Sequence, residues 1–324
     1  MAARPIIDSH VHIWDTNRFP IPWLEGIPAL NKSIWIDDYF AATGDLNVEG
    51  FVYLQVEVAP PYALIEAQTI ASLTEVDSRV LAIVPWAPLE EGEKIRVFLE
   101  QLITISPKIK GIRRIVQAEP DPAFCLQPGF IRGNQILAEF GLTSELCCNF
   151  TQLSANVELV RQCPSTEFIL NHIAKPNIRG GEFEPWASQM EKLAALGNVV
   201  CKISGATTEA NLENWTIDDV RPYVEHALTV FGEDKVLFGS DWPVVTRGPV
   251  HALGRDRRGD YEGVHRRTEG QALEAKRSAL LPAGKRGLTR CSFEECLPSR
   301  SSPQRSTAGR LTRSSSQVAI CRAG

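Results

Sequence analysis

Twelve residues into the chain lies a His-x-His pair, within Asp8-Ser9-His10-Val11-His12. On an extended segment residues i and i+2 face the same side, so both imidazoles converge on one point. Imidazole is a natural ligand for zinc and similar ions and a proton carrier near neutral pH. A third histidine, His172, follows an apolar run in Asn171-His172-Ile173-Ala174-Lys175-Pro176. Asp241 follows another, in Gly239-Ser240-Asp241-Trp242-Pro243. A carboxylate just past an apolar strand is expected to be partly desolvated, which raises its pKa and suits it to general-base work. Each residue has a plain structural alternative: a polar loop for the histidine pair, a core histidine for His172, a cap for Asp241. Found together at the ends of three runs, they point to one site. His10, His12, His172 and Asp241 are then the catalytic candidates, and His10, His12 and Asp241 the candidate ligands of one divalent ion, if an ion is bound.

Five further residues are substrate-binding candidates: Glu57, Arg113, Arg114, Lys202 and Trp242. Neighbouring strand residues alternate sides, so one of the two arginines should face inward, where it would hold a carboxylate or a lactone carbonyl. A structural salt bridge is an equal alternative. Trp14, Trp86 and Trp242 offer flat apolar surface, or are simply core. His226 lies in a helical stretch and is expected to be structural. His251 and His265 are assigned nothing.

The elements that must position these residues are legible as a pattern. Short β-rich apolar runs occur at 5–13, 48–58, 79–88, 109–117, 143–150, 166–174, 198–205 and 235–244. Between them lie helical stretches such as YALIEAQTIASLTEVD, EKIRVFLEQLITIS, WASQMEKLAALG and IDDVRPYVEHALTVFG, several with apolar residues at i, i+3, i+4 and i+7. Gly141, Gly197 and Gly232 follow such stretches, as C-caps do. Strands alternating with helices imply a parallel sheet, and eight units in about 240 residues predict an α/β fold of the (β/α)8 TIM-barrel type. Chemistry in that fold sits at the C-terminal ends of the strands, where these residues fall. An open doubly wound sheet is the rival. It lacks a G-x-G-x-x-G after the first strand and a P-loop.

The chain has 324 residues, 44% of them hydrophobic and 23% charged, an ordinary globular composition. No stretch approaches the roughly 20 apolar residues of a membrane span. The N-terminus shows no signal-peptide pattern. The eight cysteines form no C-x-x-C pair and are expected to be free thiols in a reducing compartment, which favours a cytoplasmic protein. The net charge of −5 hides an asymmetry: residues 247–324 hold 16 Lys and Arg against 7 Asp and Glu, leaving 18 against 32 for residues 1–246. The barrel domain is therefore expected over 1–246. Residues 247–324 are expected to be a basic low-complexity tail, disordered or mistranslated, standing where the last helix should be. Its basic residues are not interleaved with aromatics, which argues against a nucleic-acid partner.

The segments IIDSHVHIWD, GIRRIVQ, ILNHIAKP, VVCKISG and LFGSDWPV resemble the amidohydrolase-related family (amidohydrolase 2), in the lactonase branch that includes L-fuconolactonase and L-rhamnono-lactonase. The resemblance covers about residues 4–246. It implies a distorted barrel that hydrolyses small cyclic esters. The family's first-strand histidines correspond to His10 and His12, its sixth-strand histidine to His172, its last-strand aspartate to Asp241, and its fourth-strand arginine to Arg113 or Arg114. No histidine lies between His12 and His172, so a two-metal centre is not expected. Similar lactonases use one divalent ion or none. After the last-strand aspartate the family continues into a final amphipathic helix, which RGPVHALGRDRRGDYEG does not resemble; a frame or splice error there is one explanation. The expected activity is opening of a sugar-acid lactone in carbohydrate metabolism. The alternatives are metal-dependent decarboxylation of a small acid, and an inert or binding protein. The oligomeric state is not readable.

Overall fold

The computed structural model describes residues 5–247. Eight strands appear, one in each predicted run: β1 (Ile6–Val11), β2 (Val48–Leu54), β3 (Val80–Val84), β4 (Gly111–Arg113), β5 (Thr143–Leu146), β6 (Phe168–Leu170), β7 (Val199–Ile203) and β8 (Val236–Phe238). Between them run α1 (Ile36–Thr43), α2 (Ala63–Val76), α3 (Ile95–Ile105), α4 (Pro128–Glu139), α5 (Leu153–Gln162), α6 (Trp186–Ala195) and α7 (Ile217–Phe231). The strands form two parallel sheets, β1-β2-β3 and β4-β5-β6-β7-β8. Residues 109–110 run beside Ile83, with Ile83 N–H donating to Lys108 O and Lys110 N–H to Ile83 O. At the other edge Val11 bridges to Trp242, with His12 N–H donating to Trp242 O and Asp241 N–H to His10 O. The architecture is TIM-barrel-like.

The helices form for the predicted reason. In α3 the buried residues are Ile95, Leu99 and Leu102, spaced at four and three, one stripe of a 3.6-residue period. Each such side chain contributes about 1.5–3 kcal/mol when removed from water. Gly141, Gly197 and Gly232 end their helices at φ of 67°, 85° and 71°, a region where a Cβ would be strained. The eight-residue α1 was not predicted, because it is too short for a period to show. Asp38 starts it by accepting a hydrogen bond from Trp35 N–H.

Residues of the strands, including Ile7, Val52, Ala82, Ile169, Lys202 and Leu237, line a partly open pocket of about 50 Å3. Cys125, Cys147, Cys148, Cys163 and Cys201 are buried free thiols, as expected. Cys291, Cys296, Cys321, His251, His265 and the expected tail from residue 248 onward lie outside the described residues.

Candidate active site

The β1 pairing with β2 shifts register between Asp8 and Val11, the place where the two histidines begin. Such an irregularity re-aims side chains. Asp8 then ties three elements together. Its Oδ1 accepts from His10 N–H (3.0 Å) and Ser240 N–H (2.9 Å), and its Oδ2 from the Tyr39 hydroxyl (3.0 Å). One buried carboxylate thus fixes β1, the segment after β8 and α1 against one another. Burial pushes its pKa up, and these hydrogen bonds oppose the shift.

The Nε2 atoms of His10 and His12 lie 3.1 Å apart. His12 Nδ1 is 2.9 Å from Leu54 O. A carbonyl only accepts, so Nδ1 carries the proton and Nε2 keeps its lone pair. Asp241 Oδ1 lies 3.7 Å from His10 Nε2, 3.5 Å from His12 Nε2 and 3.8 Å from His172 Nε2. All four residues are buried. The expected convergence is therefore present: residues up to 231 positions apart in sequence meet around one carboxylate oxygen.

The backbone is strained where it aims these groups. Asp241 has φ of 59°, and His172, Ile173, Ala174 and Lys175 have φ of 53°, 47°, 58° and 46°. Such residues cost about 1–3 kcal/mol each and persist only where the surroundings hold them. Gly205, at φ of 60°, backs the site: a Cβ there would lie 2.7 Å from His172 Nδ1 and 3.2 Å from Asp241 Oδ2. The Ser204 hydroxyl is 2.9 Å from His172 Nδ1.

Burial holds all three imidazoles below the usual histidine range, His10 well below it and His172 at about 3. They are neutral at pH 7, the form that ligates metals. Asp241 corrects the sequence-based expectation of a raised pKa. Burial does push it up, but His172 and His12, with Lys175 behind them, outweigh burial and hold the carboxyl at about 2. At neutral pH Asp241 is a carboxylate.

His10, His12 and Asp241 offer ligand atoms that all lie within 4.8 Å of one another. A tetrahedral ion with ligand bonds of about 2.1 Å needs ligand atoms about 3.4 Å apart. The observed separations of 3.1, 3.5 and 3.7 Å fit that requirement. An Arg113 guanidinium nitrogen also lies 3.1 Å from His10 Nε2 and must yield when that lone pair binds a metal.

The weaker candidates separate. Arg113 is the inward arginine; it is buried, reaches His10 and donates a second hydrogen bond to Gln55 O. Arg114 instead pairs with Glu90 at 3.0 Å and Glu119 at 2.7 Å. Lys202 is fully buried, with Nζ at 2.7 and 2.8 Å from the two oxygens of Glu145. Arg114 and Lys202 are thus both engaged in ion pairs. Glu57, at φ of 54°, exchanges hydrogen bonds with Gln55 at the end of β2. Trp242 is half-buried against Tyr39, with ring centroids 5.4 Å apart. Trp14 is core, and half-buried Trp86 stacks edge-on with Phe98. His226 is structural, its Nε2 3.2 Å from Ala187 O. Sequence reasoning missed Gly205, Ser204, Tyr39 and the bracing role of Asp8. The only signal for Gly205 was the small-residue pair that ends the β7 run.

The amidohydrolase family model matches residues 7–262. The uncharacterized protein y4mH of Sinorhizobium fredii is 30% identical over 261 residues, covering 75% of this chain and 86% of its own. The L-fucono-1,5-lactonase of Burkholderia ambifaria is 28% identical over 242 residues, covering 74% and 80%. Among solved structures, a Burkholderia multivorans amidohydrolase with bound zinc superposes with a TM-score of 0.69 at 27% identity, covering 86% of this chain and 96% of that one.

Proposed function

The chain belongs to the amidohydrolase family, and from that premise we propose that it opens a small sugar-acid lactone by attack of water on the ring carbonyl. The observation that carries this reading is the ring of three imidazole Nε2 atoms at 3.5–3.8 Å from Asp241 Oδ1. The similarity to a fuconolactonase supports a sugar-acid lactone of the fucono or rhamnono kind. The zinc in the B. multivorans relative and the spacing of His10, His12 and Asp241 support one divalent ion held by those three residues. Such an ion supplies Lewis acidity and lowers the pKa of water.

The chain's own residues supply the rest. Asp241, ionised at neutral pH, accepts the proton that water loses as its oxygen bonds to the carbonyl carbon. Arg113, held by its hydrogen bond to Gln55 O, places positive charge where the oxyanion develops. As the ring C–O bond breaks, the alkoxide takes the proton back from Asp241 and the product is a hydroxy acid. His172, with a pKa near 3, is a poor proton donor at neutral pH; it orients water and carbonyl as a neutral ring. Glu57 and Trp242, at the same ends of β2 and β8, are the flanking candidates for sugar hydroxyls and the ring face. We take the two sheets as one closed barrel around this site. No described helix is long and apolar enough to cross a membrane. The buried free thiols favour a cytoplasmic setting.

The test is a panel of neutral aldonolactones and small unsaturated acids, offered to the zinc-loaded full chain with pH-indicator and carbon dioxide readouts. Acid release from a lactone, lost in Asp241→Asn, supports the reading. Carbon dioxide release would replace it with decarboxylation, and a folded protein inert to the whole panel would sink it.

A further inference from the structure

His172 sits in a run of four consecutive non-glycine residues, His172 to Lys175, all at positive φ. Within the run the hydrogen bonds are local: Ala174 N–H to Asn171 O (2.9 Å) and Lys175 N–H to His172 O (2.8 Å). Those bonds shape the turn, and its two ends are tied to the molecule by the Ser204 hydroxyl at His172 Nδ1 (2.9 Å), by Phe150 N–H to Lys175 O (3.4 Å) and by Lys175 Nζ to Glu209 (2.9 Å). In the middle of the run the anchor is Trp186, the first residue of α6, whose indole N–H donates to Ile173 O at 2.7 Å. Trp186 is 1% exposed and is walled by Phe183 and Tyr223, with ring centroids at 5.6 and 5.3 Å. The indole therefore has one orientation, and its N–H meets the carbonyl next to His172. On the inner side Asn171 donates to Glu145, which Lys202 holds.

We infer that Trp186 is a positioning residue: its indole N–H pins Ile173 and so keeps the left-handed turn aiming His172 at Asp241. Trp186 touches neither substrate nor reacting atoms. A tryptophan present only for volume would give the same packing with any acceptor, or with none. Here the acceptor belongs to strained backbone that must be held from outside. The rate readout of this inference rests on the lactonase reading; the spectroscopic readout does not.

Two variants remove the N–H. Trp186→Phe also trims the ring, whereas Trp186→3-benzothienylalanine keeps the indole shape and so keeps the fold testable. In both, kcat is expected to fall about tenfold, the equivalent of one buried hydrogen bond, with KM changed by less than about twofold. The imidazole 15N resonances of His172, identified by their loss in His172→Asn, are expected to shift. Glycine adopts positive φ without strain, so adding Ala174→Gly lets the turn form with less help. The double variant is expected to regain most of kcat and the native resonances. Unchanged kcat and unchanged His172 resonances in the benzothienyl variant would overturn the inference. So would a loss that Ala174→Gly leaves untouched, since that is what plain packing damage gives. If the wild type opens no lactone, the proposed function fails, and the His172 resonances alone decide the positioning role.

Discussion

Gly205 has no side chain because His172 and Asp241 leave no room for one. Gly205→Ala would press a methyl to within 2.7 Å of His172 Nδ1 at a φ of 60°, so something in the site must move. A displacement on the order of 1 Å at reacting groups costs roughly a hundredfold in rate. Lactone turnover in Gly205→Ala is expected to fall by about that factor while circular dichroism reports a folded protein. Metal binding is argued at the same scale. Calorimetric titration of chelator-stripped wild type with zinc is expected to give one site per chain, lost in His12→Asn and Asp241→Asn but kept in His172→Asn, which lies outside the ligand triad. Equal binding by all variants would move the ion elsewhere. The four central residues were legible because their types are rare at strand ends and strand ends could be found. The direction of the Asp241 pKa was not, since local burial pushes it up and only the distant partners at positions 12, 172 and 175 reverse the sign. Gly205 was illegible because a missing side chain carries no chemistry of its own.

Helix α2 meets strand β2 through a buried acid. Glu66 Oε1 accepts from the Tyr53 hydroxyl and from Val56 N–H, both at 2.8 Å. Burial pushes its pKa from 4.5 up to about 7, with the two hydrogen bonds opposing. The folded state therefore holds this proton more tightly than the unfolded chain. Its contribution is fully present below about pH 4.5 and is lost as pH rises through 7, a change on the order of 3 kcal/mol. Glu66→Gln keeps an acceptor and removes the titration. In urea unfolding, the stability of wild type relative to Glu66→Gln is expected to fall between about pH 4 and pH 8; parallel pH profiles would contradict the assignment. Elements were read well where a period could repeat. The strands and the longer helices fell in their predicted runs, whereas α1 did not show. That short helix matters, because it brings Tyr39 to Asp8 and so braces β1.

At the scale of the whole molecule, the site exists because the two ends of the described fold meet. Val11 bridges to Trp242, and the same contact sets His10, His12 and Asp241 side by side. Residues 1–246 and 247–324 differ in net charge, −14 against +9 from the counts above, and every residue assigned to the proposed site belongs to the first part. The most direct test follows oxygen through ring opening. The zinc-loaded full chain is offered L-fucono-1,5-lactone in 18O-water, and the hydroxy acid formed is analysed by mass spectrometry beside an Asp241→Asn control. Attack at the carbonyl predicts one 18O in the carboxylate and none in the released hydroxyl, with enzymatic turnover reduced about 10²–10⁴-fold in the variant. Label in the hydroxyl, or turnover that Asp241→Asn leaves intact, would contradict it.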